Sequence, residues 1–205
     1  MPEFIASPSR VDPKVAAATA ADARGGRQEE SIGQSQSLSL AHFHLIPMSK
    51  RFPVTPATIH LDKLGIAYAK HTYDYQRKGS DVAADGLGVG LHDVVKTLIM
   101  QRDDGEPVVV LQHGDKEVSL KDLARQMGAK NVAACEVKDA QRHTGYLVGG
   151  ISPFGTKREM PVYAEESILQ LPKFYINGGQ RGFILEITPA EIQKALKITP
   201  VKVAR

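Results

Sequence analysis

With 205 residues, 42% of them hydrophobic and 24% charged, the chain is long enough for one well-buried core and a small extra module. A formal charge of +3 at pH 7 permits a polyanionic partner without demanding one, and the single cysteine, Cys135, excludes an intramolecular disulfide and a cysteine-rich zinc site. No run approaches a membrane span of about 18 apolar residues and no basic start precedes an apolar core, so the chain reads as a soluble cytoplasmic protein with no membrane partner.

Residues 1–47 are rich in Ala, Ser, Gln, Gly and Arg, with few large apolar groups to offset the entropy of ordering them, and are expected to form a disordered N-terminal extension. Met48-Ser49-Lys50 reads as a natural start, the residues before it being an upstream extension or a leader. The extension carries a net charge of −1, which leaves +4 on residues 48–205 and puts any anion-binding surface there.

From Met48 short elements alternate. Thr55-Pro56 opens a helix that closes at Gly65, with Thr at the N-cap and Pro in the first turn. Residues 66–73 alternate as a strand, and 81–90 suggest a short helix weakened by glycines. Residues 94–100 and 107–112 read as two strands joined by a turn at Asp103-Asp104-Gly105. An amphipathic helix follows at 120–128, then a short one near 136–142. Cys135, in Val132-Ala133-Ala134-Cys135, reads as a buried apolar thiol rather than a nucleophile. Strands are expected at 160–164, 173–177 and 182–187, a helix at 189–196 and a strand at 199–203. Hairpins mixed with helices, without a strand-helix rhythm, indicate an α+β fold with a mixed, largely antiparallel sheet.

Three features depart from ordinary scaffold. Thr144 to Gly155, TGYLVGGISPFG, sets a buried-looking Tyr146-Leu147-Val148 among four glycines. Such a loop is either a tight connection or a way to aim bare N–H groups at a negative oxygen. Lys96 is the one charge in VVKTLIM and shares a strand face with Val94, Leu98 and Met100, whereas Val95, Thr97 and Ile99 take the other. It suits an edge strand protected by a lysine, or a partly desolvated cation that holds a substrate oxygen. Asn177-Gly178-Gly179-Gln180-Arg181-Gly182 joins two strands, with Arg181 either solvated or directed at an anion.

Other chemistries fit poorly. Seven scattered histidines form no HExxH, there is no phosphate loop or GxSxG elbow, and Gly86-Leu87-Gly88-Val89-Gly90 does not follow a strand. Ser152 has no base nearby in sequence. A lysine, glycine-loop amides and an arginine remain, a set that positions and polarises a substrate rather than attacking it.

HTY at 71–73, VVKTL at 94–98, AQRHTGYLVGGISPFGTKR at 140–158 and NGGQRG at 177–182, in this order and spacing, resemble the YbaK/EbsC family of aminoacyl-tRNA deacylases. The loop looks most like the cysteinyl-tRNA(Pro) deacylase branch, and the resemblance covers residues 50–205. It implies the fold of the prolyl-tRNA synthetase editing domain, a mixed sheet or partial barrel with surrounding helices, over residues 48–205. The implied activity is hydrolysis in trans of the ester of a mischarged tRNA(Pro), with aminoacyl-tRNA and possible contact with prolyl-tRNA synthetase as partners and no cofactor or metal. By matching position Lys96 would anchor the tRNA 3′ end, Gly149 would hold the aminoacyl group with Gly150 beside it, and Tyr73 and Thr97 would line the pocket. Ser152, Asn177, Gly178 and Arg181 are further expected substrate contacts, and Arg142, Lys157, Arg158 and Lys173 candidate tRNA phosphate contacts. In this branch the substrate's own thiol is thought to attack its carbonyl, which would remove the need for a protein nucleophile. Against the family pattern, the segment between Tyr73 and Lys96 is short and lacks an expected phenylalanine, Asn177 replaces a usual serine, and Ile184 an expected aspartate. An Ala- or Ser-tRNA deacylase, or a module that binds tRNA or a nucleotide without turnover, is the alternative.

Overall fold

Thr55 caps the first helix α1 (Pro56–Lys63) as its sequence dictates, its Oγ1 accepting from the Thr58 N–H while Thr58 Oγ1 accepts from the Thr55 N–H. The Thr55 hydroxyl donates to Gly178 O at 2.6 Å and ties the helix start to a strand far along the chain. The computed structural model describes residues 51–77 and 79–205, and the extension expected at 1–47 lies outside them. The elements after α1 are β1 (Ala69–Thr72), α2 (Ser80–Leu87), a 3-10 turn (Leu91–Asp93), β2 (Val94–Arg102), β3 (Pro107–His113), α3 (Leu120–Met127), β4 (Val132–Ala134) and α4 (Val137–Thr144). Then come β5 (Val162–Glu165), a second 3-10 turn (Glu166–Gln170), β6 (Phe174–Gln180), β7 (Phe183–Ile187), α5 (Pro189–Ala195) and β8 (Ile198–Val201).

All five helices and the seven strands expected from the sequence are present among the described residues, with ends shifted by a few positions. Helices α2 and α3 stop where Gly88 and Gly128 take left-handed φ values of 66° each. The strand missing from the sequence reading is β4, three residues of which two are alanines, too short for a period-two signal.

The eight strands form one open mixed sheet in the order β1-β7-β6-β2-β3-β5-β8, with β4 also on β2. Pairings β1–β7, β6–β7, β2–β3 and β2–β4 are antiparallel, and β2–β6, β3–β5 and β5–β8 parallel. The sheet is therefore more evenly mixed than the hairpin signals suggest. Side chains of α1, α4, α5 and the 144–155 loop pack with Val95 and Ile99 on one face. On the other face α2 packs with Val94, Tyr175 and Ile184, and α3 with Met100 and Val110. Each fully buried Leu or Phe in these layers contributes about 1.5–3 kcal/mol.

The alternation expected along β2 holds, and Lys96 sits between the α2 and α3 clusters. What sequence did not show is the exposure of one β2 edge. Strand β6 pairs with β2 only at Val94 and Val95, and β4 begins at Met100. Ile99 O accepts the Cys135 N–H on that edge, so strand alternation turns the Thr97 N–H and C=O toward the same side, where neither strand reaches.

Gly155 shows how tightly the loop is seated. Its φ is +59°, and a Cβ there would lie 2.4 Å from Pro56 O and 2.7 Å from Pro56 C. Gly155→Ala is expected to cost about 2–4 kcal/mol, from left-handed strain plus overpacking, visible as a lower urea midpoint at unchanged m-value. An unaltered midpoint would mean that the loop and α1 separate freely.

Candidate active site

The break in the sheet is a cleft of about 400 Å³, a size ordinary for small-ligand sites. Because it lies at an open strand edge, residues from both faces of β2 line it, among them Lys96, Thr97 and Ile99. The lining also includes Tyr73, Tyr75, Cys135, Gly149, Asn177 and Ile184.

The Lys96 ammonium donates to Gly114 O at 3.2 Å and to Lys116 O, both in the turn that follows β3. Two of its three N–H bonds are thereby fixed, which makes a flexible point charge a directed donor. Burial lowers its pKa below the ordinary lysine value, opposed by the charges of Asp115 and Glu117. Thr97 Oγ1 is buried with no hydrogen-bond partner among the described residues, a deficit of about 1–3 kcal/mol that a bound polar group would remove.

The 144–155 loop is held from all sides. Thr144 Oγ1 donates to Ala140 O at 2.7 Å and accepts from the Tyr146 N–H at 3.1 Å, and the Tyr146 hydroxyl donates to Phe154 O at 2.7 Å. Tyr146 is buried as expected, but Leu147 is 64% exposed, because the sharp turn closed by Gly150 N–H to Leu147 O points it outward. The β6–β7 hairpin then takes the loop's carbonyls. Arg181 donates from Nε and Nη2 to Val148 O at 3.1 and 2.9 Å, and Asn177 Nδ2 donates to Gly149 O at 3.2 Å. Asn177 Oδ1 accepts the Gly179 N–H at 2.8 Å, so one amide joins both glycine segments. The Gly149 N–H has no acceptor among the described residues, whereas the Gly150 N–H is consumed by the turn.

Of the residues expected from sequence, Lys96, Gly149, Tyr73, Thr97 and Asn177 come together in the cleft. Gly150, Gly178 and Arg181 stand behind it as backbone and brace. Ser152 does not reach it. This serine is fully buried, and its hydroxyl faces the Phe154 N–H at 3.5 Å. The basic residues proposed for tRNA phosphates lie outside the lining, with Arg142 paired to Asp139, Arg158 to both Glu106 oxygens and Lys173 to Glu186. Lys157 instead lies along Gly145, its Cγ 3.0 Å from where a Cβ would be. Cys135 is half-buried on the cleft wall rather than in the core, because β4 ends beside the open edge. Burial, reinforced by Asp139, raises its pKa and keeps it a thiol.

Tyr75 was not singled out from sequence. Its ring lies beside the Arg181 guanidinium at 5.6 Å and beside Tyr73 at 6.4 Å, and only the alternation of His71, Tyr73 and Tyr75 hints at a shared face. Near the cleft, ligand atoms of His92, His113 and Asp115 lie within 4.8 Å of one another. The two imidazoles stack at 3.7 Å with 13° between planes, so their in-plane lone pairs do not converge on a common ion.

A family model described as the aminoacyl-tRNA editing domain matches residues 76–195, more than half of the chain. The chain belongs to this family. Among its relatives, EbsC of Enterococcus faecalis, described as a candidate Cys-tRNA(Pro)/Cys-tRNA(Cys) deacylase, is 34% identical over 113 residues, 55% of this chain and 69% of EbsC. The proline–tRNA ligase of Limosilactobacillus fermentum is 23% identical over 107 residues, half of this chain and 19% of the ligase. A crystal structure described as that of a candidate trans-editing enzyme for prolyl-tRNA synthetase superposes with a TM-score of 0.67 at 20% identity, covering 75% of this chain and 99% of that one. The fold and the reaction class expected from the sequence, aminoacyl-tRNA editing, are those of this family. Among the described residues no helix is long and apolar enough to cross a membrane.

Proposed function

We propose that the chain is a trans-acting deacylase that hydrolyses the ester of mischarged tRNA, with Cys-tRNA(Pro) as its principal substrate, in the cytoplasm where tRNA is charged. The observation that carries this reading is the pairing, in one cleft, of a fixed ammonium, Lys96, with an amide, Gly149 N–H, that has no acceptor among the described residues, none of the described lining residues being a histidine. An aminoacyl ester is already activated. Holding it where its carbonyl meets directed donors, with a substrate thiol or ribose hydroxyl as nucleophile, supplies proximity and charge stabilisation without a protein nucleophile. The protonated state favoured for Cys135 agrees with such a division of labour.

Ile184 from one face of the sheet and Val95 and Ile99 from the other give the cleft an apolar lining suited to a small side chain. Cavity size alone separates cysteine from alanine or serine by only about 1–3 kcal/mol, so dependence on the substrate's own thiol adds the remaining selectivity. The binding partner is the aminoacylated 3′ end of tRNA(Pro), and prolyl-tRNA synthetase, which produces that mischarged species, is the enzyme served. The test is amino-acid release by the full chain from tRNA(Pro) bearing cysteine, alanine, serine or 2-aminobutyrate. Cysteine is expected to leave fastest, and 2-aminobutyrate, which has cysteine's shape without its thiol, at least about tenfold more slowly. Equal rates for cysteine and 2-aminobutyrate would overturn the thiol's role, and a preference for alanine would replace the substrate.

A further inference from the structure

The turn that holds Lys96 is itself held by a side-chain pair that the proposed reaction does not use. Gly114 packs so closely on the 3-10 turn before β2 that a Cβ would lie 2.4 Å from Leu91 O. One residue on, the Asp115 carboxylate accepts from His92 Nδ1, which lies 3.0 and 3.1 Å from its two oxygens. The His92 ring stacks on His113, a buried imidazole whose Nδ1–H donates to His92 O at 2.7 Å and whose Nε2 accepts from Ser167 Oγ at 2.8 Å. Desolvation first of all keeps His113 below the ordinary histidine pKa, as befits the neutral tautomer these bonds require. His113 is thus a fixed platform, His92 lies on it, and Asp115 is clamped between the two carbonyls that bind the Lys96 ammonium.

We propose that Asp115 and His92 are positioning residues for Lys96, fixing the Gly114–Lys116 turn so that the ammonium keeps one directed N–H for the substrate. The inference rests on the proposed function of Lys96. Asp115 acts in two ways, by geometry through the turn and by charge, since its carboxylate is one of the two that favour the protonated lysine. Loss of the clamp leaves Lys96 present but free to wander, which weakens interactions made in the transition state more than ground-state binding.

The test uses the full chain carrying Asp115→Ala, His92→Phe, both together, and Lys96→Ala, with cysteine release from Cys-tRNA(Pro) followed to separate kcat from KM. His92→Phe preserves an aromatic ring on His113 while removing the bond to Asp115. Each single variant is expected to lower kcat about tenfold, with KM changed by less than about twofold, and the double variant to fall no further than the worse single one. The Lys96 ε-amine, titrated by NMR, is expected to lose its proton at lower pH in Asp115→Ala than in the parent. Where Asp115→Ala fails to fold, Asp115→Asn keeps an acceptor oxygen for His92 and is expected to retain an intermediate kcat. If Lys96→Ala abolishes turnover while Asp115→Ala and His92→Phe do not affect it, this proposal is overturned and the function stands. A fall in kcat with an unmoved Lys96 titration and additive losses would likewise reduce the pair to scaffold and overturn it. An inert Lys96→Ala would remove the functional reading itself.

Discussion

Lys96→Ala is expected to slow cysteine release from Cys-tRNA(Pro) about a hundredfold or more, the usual loss when one preorganised donor is taken from a developing oxyanion. The magnitude follows from the setting: the ammonium is partly withdrawn from water and fixed by Gly114 O and Lys116 O. Lys96→Arg is not a rescue, since a planar guanidinium cannot satisfy two carbonyls chosen for a tetrahedral ammonium and keep the same third direction. The active form is the charged one, and burial lowers its pKa, so the enzymatic rate above buffer is expected to decline with rising pH at values below the ordinary lysine pKa. A variant with the parent's melting temperature and the parent's rate would remove Lys96 from the chemistry.

The second large effect is expected at Gly149. Its φ of +91° strains any L side chain, and a Cβ would lie 2.6 Å from the Tyr75 hydroxyl and 3.3 Å from Arg181 Nε. Gly149→Ala must therefore displace Tyr75, Arg181 or the loop, and with it an amide of the cleft lining that has no acceptor among the described residues. A loss of about ten- to a hundredfold in kcat/KM is expected, as for misplacement by about an ångström. Because the nearest collision is with a hydroxyl, Gly149→Ala combined with Tyr75→Phe is expected to recover part of that loss. Full activity in Gly149→Ala alone would show that the loop tolerates movement and that its geometry does not set the rate.

Much of this was legible in the residues themselves. The period-two pattern of β2 put Lys96 and Thr97 on opposite faces, and both line the cleft because the strand's edge is open there. That opening was invisible in the sequence, since it depends on where β6 stops pairing and β4 starts. Glycine spacing announced a bent loop at 144–155 but not that Asn177 and Arg181 would reach across from another hairpin to hold its carbonyls. Ser152, an expected substrate contact, is instead turned into the core by the bend. Cys135 is a thiol packed against the core as its apolar neighbourhood suggests, but only half-buried, because its segment lies at the sheet's broken edge. The phosphate candidates lie outside the cleft lining, and three of them, Arg142, Arg158 and Lys173, pair with nearby acids, as exposed basic side chains commonly do.

The claim on which the rest depends is that the aminoacyl end of tRNA binds at the open edge of β2. A second cavity of about 740 Å³, lined by His60, Glu159 and Lys197 beside α5 and β8, offers a built-in alternative location. The decisive measurement is a two-dimensional NMR titration of the full chain with a non-hydrolysable 3′-amide analogue of cysteinyl-adenosine. Saturating shifts at the Lys96, Thr97, Gly149 and Asn177 resonances, with those of His60, Glu159 and Lys197 unmoved, are the expected result. Shifts confined to the second group would contradict the account.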